Sequence, residues 1–490
     1  MSTNAGSDPG SDAAPGEPNR HAPVVIGLVV AAAFFMQGLD GAIMNTSLPQ
    51  MAATLRVQAV DMNAGITAYI LALAIFTPLS GWMADRFGAR TVFASAVLIF
   101  TLASVGCGVA MTLPQFIGAR VVQGVGGALM TPVGRLVILR AAKPHELLRM
   151  TAIIVWPALF APVVGPVIGG AITTYFGWRW NFLLNLPLGL VGVGLVLAVI
   201  PNFREPIRRP LDLFGAAISG ASLFLLIYGL TRLASDGFSP EPIGLLLLGA
   251  LTGAGAVVWF RRHDHPLLDL APIRTPTFAV TSMDAGNLFM IGMAATPFLL
   301  PLMLQSVWGY NPLQAGWWLL VYFLGNLATK VVTTAVLRRF GFRRVMLATG
   351  LAIALTVLAC GFLDRTTAPL VVALVLFGAG GMRSMQGTAM STLAFADITA
   401  EKRASAATLS SMMQQLALAL GISLSALVLN ASRNARGGGT LAQIDFRLAF
   451  AFLALLALVG TALCLRLRSD AGAEVSGHKP RDKARHGVLS

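Results

Sequence analysis

The chain has 490 residues, of which 56% are hydrophobic and 11% charged, whereas soluble domains average about 25% charged residues. That balance excludes a water-soluble enzyme, which needs polar surface over its core, and fits a molecule whose outer surface meets lipid. The formal net charge of +14 sits in short basic clusters between apolar runs, which reads as membrane topology and not as a nucleic-acid footprint.

Residues 1–22 are rich in Gly, Ser, Pro and Asp and read as a disordered cytoplasmic tail with no cleavable signal. From Val24 onward, runs long enough to cross ~30 Å of hydrocarbon recur about fourteen times. Their predicted limits are 24–46, 62–83, 91–111, 115–139, 148–175, 180–201, 212–233, 242–261, 277–305, 313–337, 344–363, 368–395, 403–429 and 446–466. An even count puts both termini on one side. With the termini in the cytoplasm, about 24 Lys and Arg fall inside and about seven outside, as the positive-inside rule requires.

After the second span the chain reads Arg86-Phe87-Gly88-Ala89-Arg90, and after the tenth Arg339-Phe340-Gly341-Phe342-Arg343. A repeated turn of this kind marks two related halves, as in many secondary transporters. The expectation is an all-α membrane protein with a six-helix bundle over residues 23–201, two inserted spans over 202–276, a second six-helix bundle over 277–467, and a basic disordered tail over 468–490. Cys107, Cys360 and Cys464 lie inside apolar runs without C-x-x-C spacing and read as small core residues.

Several stretches carry chemistry of their own. Gly81, Asp85, Arg86, Gly88 and Arg90 place charges at the cytoplasmic end of two helices, where glycines permit close approach and an ion pair latches one conformation. In the fifth span, Pro157, Pro162 and Pro166 remove backbone donors while Gly165, Gly169 and Gly170 remove side chains, which predicts a bent helix packed closely on a neighbour. Trp178, Arg179 and Trp180 read as an interfacial aromatic belt.

Taken together, the run Leu39 to Pro49, the run Gly81 to Arg90, Arg120 to Gly127, Gly165 to Gly170, and Trp178 to Phe182 with Asn185, Pro187 and Gly189 resemble the fourteen-helix drug:proton antiporter branch of the major facilitator superfamily. Ala161 stands where that family usually has a glycine, and Ala89 where it often has a second basic residue. The resemblance implies a major facilitator fold, export of drugs or other amphipathic small molecules in exchange for protons, and a part for the fifth helix in closing the proton leak.

Charges inside the membrane cost roughly 2.5–3.5 kcal/mol each and rarely stand there without a partner or a pathway. At 1.5 Å per residue, Asp40 lies ~24 Å above the inner face, and Arg120 ~9 Å below the outer face, of a ~30 Å core, so the two can pair. By the same arithmetic Asp284 and Lys330 lie ~10 and ~12 Å above the inner face and can also meet. These four are the expected proton-coupling residues. Gln37, Asn45, Gln123, Asn287, Arg383, Gln386 and Gln414 are the expected cavity groups.

No enzyme constellation is present: the histidines lie in tails and loops, and there is no H-x-x-x-H, Walker segment or paired-carboxylate pattern. No cofactor or metal is expected. The expected partners are a small-molecule substrate, protons and the lipid bilayer, with no nucleic acid, and nothing in the chain identifies a periplasmic adaptor. The expected function is proton-driven export across the cell inner membrane by alternating access. The rivals are a transporter for one metabolite, such as an amino acid, sugar acid or siderophore, and a receptor or assembly subunit that moves nothing.

Overall fold

The computed structural model describes residues 23–141, 146–202, 211–237, 239–263 and 266–476, and among them there is no strand. The predicted basic residues Lys143, Arg204, Arg208 and Arg209, and most of both tails, lie outside the described residues. The spans are α1 (Pro23–Leu55), α2 (Asn63–Phe76 and Leu79–Phe87), α3 (Ala89–Val109), α4 (Leu113–Ala141), α5 (Leu147–Tyr175), α6 (Trp180–Val199), α7 (Leu213–Asp236), α8 (Pro240–Arg262), α9 (Pro276–Ser306), α10 (Pro312–Phe340), α11 (Phe342–Phe362), α12 (Pro369–Ala394), α13 (Arg403–Ala435) and α14 (Gln443–Leu463). The expected count of fourteen holds if the bent α2 is one span.

That bend is 59°, and Pro78 is its physical cause, since its ring crowds the preceding turn and it has no N–H to give. Thr77 heals the break: its amide and hydroxyl both donate to the Leu73 carbonyl, at 3.0 and 2.6 Å. A second break falls in α9. One wide turn over Ala279–Met283 closes with the Asp284 amide on the Ala279 carbonyl at 3.0 Å, and the helix restarts at Ala285. Such wide turns re-aim the residues that follow them.

Packing repeats between the halves. In the first, α1 packs on α5 and α6, α2 on α4, and α3 on α4 and α6; in the second, α9 packs on α13 and α14, α10 on α12, and α11 on α12 and α14. The two turns that suggested the repeat also match in backbone, because Gly88 and Gly341 adopt φ of +92° and +77°, a region that glycine enters without strain. Across the halves, α5 meets α10, α2 meets α13, and α1 meets α9. The inserted pair α7 and α8 pack on each other, and α7 lies against α2 and α13.

Asp212 anchors that pair. Its carboxylate accepts from the Gly215 amide (2.7 Å), the Trp259 indole (3.0 Å) and the Leu267 amide (3.1 Å), tying the start of α7 to the end of α8 and the following loop. Burial pushes its pKa up, but these donors outweigh burial and hold the carboxyl below its ordinary value.

Two expectations change. Trp178 is not a belt residue: it is 2% exposed, packs edge-on against Phe116 and Phe182, and donates its indole N–H to Thr54 Oγ1 at 3.1 Å. An indole N–H with an intramolecular partner has no need of the headgroup region. Trp180, 56% exposed, does face outward. Past residue 468 the chain stays on the protein as far as it is described, with a turn at Gly472 against Phe342 and Leu393 and a short helix Ala473–Ser476.

Candidate functional site

Asp40 is the sole ionisable residue of α1. Its Oδ2 accepts from Arg120 Nη1 of α4 at 2.7 Å, and both side chains are 1% exposed. Its Oδ1 accepts from Gln123 Nε2 (2.9 Å) and Asn185 Nδ2 of α6 (3.2 Å). Arg120 Nη1 also donates to Gln123 Oε1 at 2.6 Å, and its guanidinium lies 4.2 Å from the centre of the Tyr69 ring of α2. Asn185 donates onward to Ser104 of α3 at 2.9 Å. Five helices of the first half thus converge on one carboxylate whose acceptor sites are taken by three donors. A buried pair needs that degree of completion, because two desolvated charges cost more than their attraction returns unless hydrogen bonds fill the remaining sites.

The pair stands beside a central cavity of ≈ 360 Å³. Gly38 and Gly41 of α1, on either side of Asp40, line it, as do Tyr69 and Arg120; across from them come Asn326 and Lys330 of α10 and Arg383 of α12, with Ile66, Leu159, Met293, Phe323 and Ile422 among the apolar walls. The sequence-predicted Asn45 lines the cavity too. Gln37 takes a supporting position: it donates to the Gly127 carbonyl (3.2 Å) and accepts from Thr131 (3.0 Å). Asn287 and Gln414 share a smaller cleft of ≈ 80 Å³. Gln386 is fully buried and hydrogen-bonded to Thr349, away from the cavity.

The expected meeting of Asp284 with Lys330 does not occur. Asp284 Oδ2 accepts from Arg466 Nη1 at 3.3 Å, with 40% and 65% of the two side chains exposed, while Lys330 lines the cavity. The break at Asp284 is the reason, since depth counted along a straight helix does not carry the direction of a side chain past an irregular turn.

At the 2–3 turn, Asp85 pairs with Arg140 of α4 at 3.3 Å and not across the turn with Arg90. Arg86 lies over the Trp82 and Phe87 rings. Gly88 is required by its φ, but Gly81 has open space beside it and serves no close approach. In α5, a Cβ built on Gly165 would lie 2.6 Å from Ala42 Cβ, one on Gly169 2.8 Å from Ile43, and one on Gly170 2.5 Å from the Pro312 carbonyl of α10. Gly316 of α10 returns the contact onto the Pro166 carbonyl. Ala161, where a glycine is usual, faces Gly38 of α1, on which a Cβ would lie 3.0 Å from Ala161 Cβ, so the small residue has moved to the opposite helix.

Asn185, Ser104 and Tyr69 are site residues that depth arithmetic missed. Asn185 had a signal, as one of two asparagines, with Asn181, within an otherwise apolar α6, whereas Ser104 and Tyr69 are ordinary residues of membrane helices.

The family described as Major Facilitator Superfamily matches residues 30–260 and 285–490. The "Putative multidrug resistance protein MdtD" of Cronobacter sakazakii is 36% identical over 405 residues, 82% of this chain and 85% of that protein. The protein of the same name in Escherichia fergusonii is 33% identical over 457 residues, 91% of this chain and 95% of its own length. Among solved structures, a POT family transporter, PepTSo, superposes with a TM-score of 0.69 at 13% identity, covering 93% of this chain and 99% of its own. The nucleoside transporter NupG superposes at 0.59 with 12% identity, covering 91% and 100%. With its paired halves, its central cavity and no enzymatic role, the chain belongs to the major facilitator superfamily and is a multi-pass membrane transporter.

Proposed function

We propose that the chain exports amphipathic small molecules across the cell inner membrane in exchange for protons, with both termini in the cytoplasm. The observation that carries this reading is the sealed Asp40–Arg120 pair beside the cavity. A carboxylate in such a place exists in two states, paired with its arginine or neutralised by a proton. Neutralising Asp40 removes the charge that binds α1 to α4, and α1 is the helix that packs on α5, the partner of α10 across the halves. Proton binding therefore acts on the helices that open and close the cavity. The relatives' names support drugs as the substrate class, and the Asp85–Arg140 pair is proposed to latch α2 to α4 in one of the two states.

The test is solute flux in proteoliposomes under an imposed pH gradient. Exchange predicts accumulation when the lumen is the more acidic side, and dissipation of that acidity on adding substrate. Accumulation only in the alkaline lumen would make the protein a symporter and end the export reading.

A further inference from the structure

We propose that the central cavity takes an organic anion, with Lys330 and Arg383 meeting its carboxylate and the apolar wall its hydrocarbon body. The proposal rests on the cavity being the transport site. The cavity's ionisable lining consists of Arg120, Lys330 and Arg383 with the neutral Tyr69, and it contains no Asp or Glu. Arg120 is already neutralised by Asp40. Neither Lys330 nor Arg383 has a carboxylate within ion-pair distance among the described residues, and Asp284, the acid nearest in membrane depth, is engaged by Arg466. Two like charges thus share one chamber inside the span of the membrane, where an uncompensated cation is costly. An anion between them removes that cost, and a cation adds to it.

The geometry suits a carboxylate. Arg383 is held by Tyr322, whose hydroxyl lies 3.5 Å from Nη1, and by the Tyr322 and Phe323 rings, each with its centre 5.9 Å from the guanidinium carbon. A guanidinium fixed in this way presents its planar fork to a planar anion. Lys330, on the neighbouring α10, adds a mobile point charge. Phe323 and Met293 supply the flat and adaptable apolar surfaces that an aromatic body needs.

The experiment is equilibrium binding to the full-length protein in detergent at fixed ionic strength. The probes are three of one shape: naphthoate, the neutral naphthalenemethanol and naphthylmethylammonium. Naphthoate is expected to bind at least about tenfold more tightly than the ammonium. Lys330→Gln and Arg383→Gln should each weaken naphthoate by roughly tenfold and leave the neutral alcohol unchanged, which also reports an intact cavity. Lys330→Glu should reverse the preference toward the ammonium. Absence of naphthoate binding, equal binding of the two ions, or naphthoate affinity that neither glutamine variant moves overturns the proposal. No gradient enters the measurement, so failure of proton-driven flux in vesicles counts against the export reading alone.

Discussion

Replacing Asp40 with asparagine keeps the shape of the acid and fixes it in an uncharged state. The carboxylate accepts from Arg120, Gln123 and Asn185, whereas an amide offers one acceptor oxygen and turns its own N–H groups toward one of those donors. Breaking one side of a buried pair costs about 3–5 kcal/mol. Arg120 keeps Gln123 Oε1 and the face of Tyr69, contacts that return about 1–2 kcal/mol. Asp40→Asn should therefore destabilise the protein by about 1–4 kcal/mol. Adding Arg120→Gln should restore at least about 1 kcal/mol, because the second change removes the orphaned charge. The functional magnitude follows from the gradient: one pH unit stores about 1.4 kcal/mol per proton, so one-for-one exchange accumulates substrate about tenfold. In proteoliposomes with matched protein, wild type should approach that ratio and Asp40→Asn should stay near one while still exchanging labelled for unlabelled substrate. Gradient-driven accumulation by the asparagine variant at the wild-type ratio refutes the assignment of Asp40 as the coupling acid.

Gly170→Leu should force α5 away from Pro312 of α10; Gln305→Cys, at a position where the glutamine donates to the Thr46 carbonyl, should then react with an impermeant maleimide over a background of three buried cysteines, and unchanged labelling counts against this seam as a closure. Asp85→Asn removes a partly exposed pair, so unfolding in detergent should move by less than about 1 kcal/mol while transport falls; full transport leaves the turn a packing role only. Asp212→Ala should destabilise the protein by about 1–3 kcal/mol at neutral pH. Because the folded-state pKa is lowered, that contribution is present above the ordinary carboxyl range and lost as pH falls through the lowered value, and an equal cost at the acid end speaks against it. Reporter fusions after Arg209 and Arg344 should behave as cytoplasmic and those after Arg56 and Arg436 as periplasmic; a cytoplasmic signal after Arg436 overturns the orientation of the second half.

The spans were legible because hydrocarbon thickness fixes the length of an apolar run, and Asp40 with Arg120 was legible because rise per residue converts position to depth. Depth is one coordinate of three. It brought Asp40 to Arg120 correctly and Asp284 to Lys330 wrongly, since the wide turn at Ala279–Met283 changes which way Asp284 faces. Azimuth also decides that Gln386 turns to Thr349 while Arg383, three residues earlier, lines the cavity. Trp178 read as interfacial because aromatic residues near a span end usually are; its burial depends on Phe116 and Thr54, from two other helices.

For the proposed exchange of a proton for an organic anion, the placement of charge across the cavity constrains the mechanism. An exchanger needs its protonated and substrate-loaded states to exclude one another. Here the acid is on α1 and the unpaired cations are on α10 and α12, so proton and anion do not compete for one group. Coulomb's law alone runs the other way, because neutralising Asp40 unmasks the charge of Arg120 and strengthens the field that draws an anion in. Exclusion must then come from shape. Gly165 and Gly169 hold α5 against Ala42 and Ile43 of α1, two and three residues beyond Asp40, and Gly170 holds α5 against α10. On the proposed coupling, a shift of α1 released by the proton would be carried along that seam to the face of α10 that presents Lys330, since interfaces packed this closely switch between discrete arrangements instead of deforming gradually.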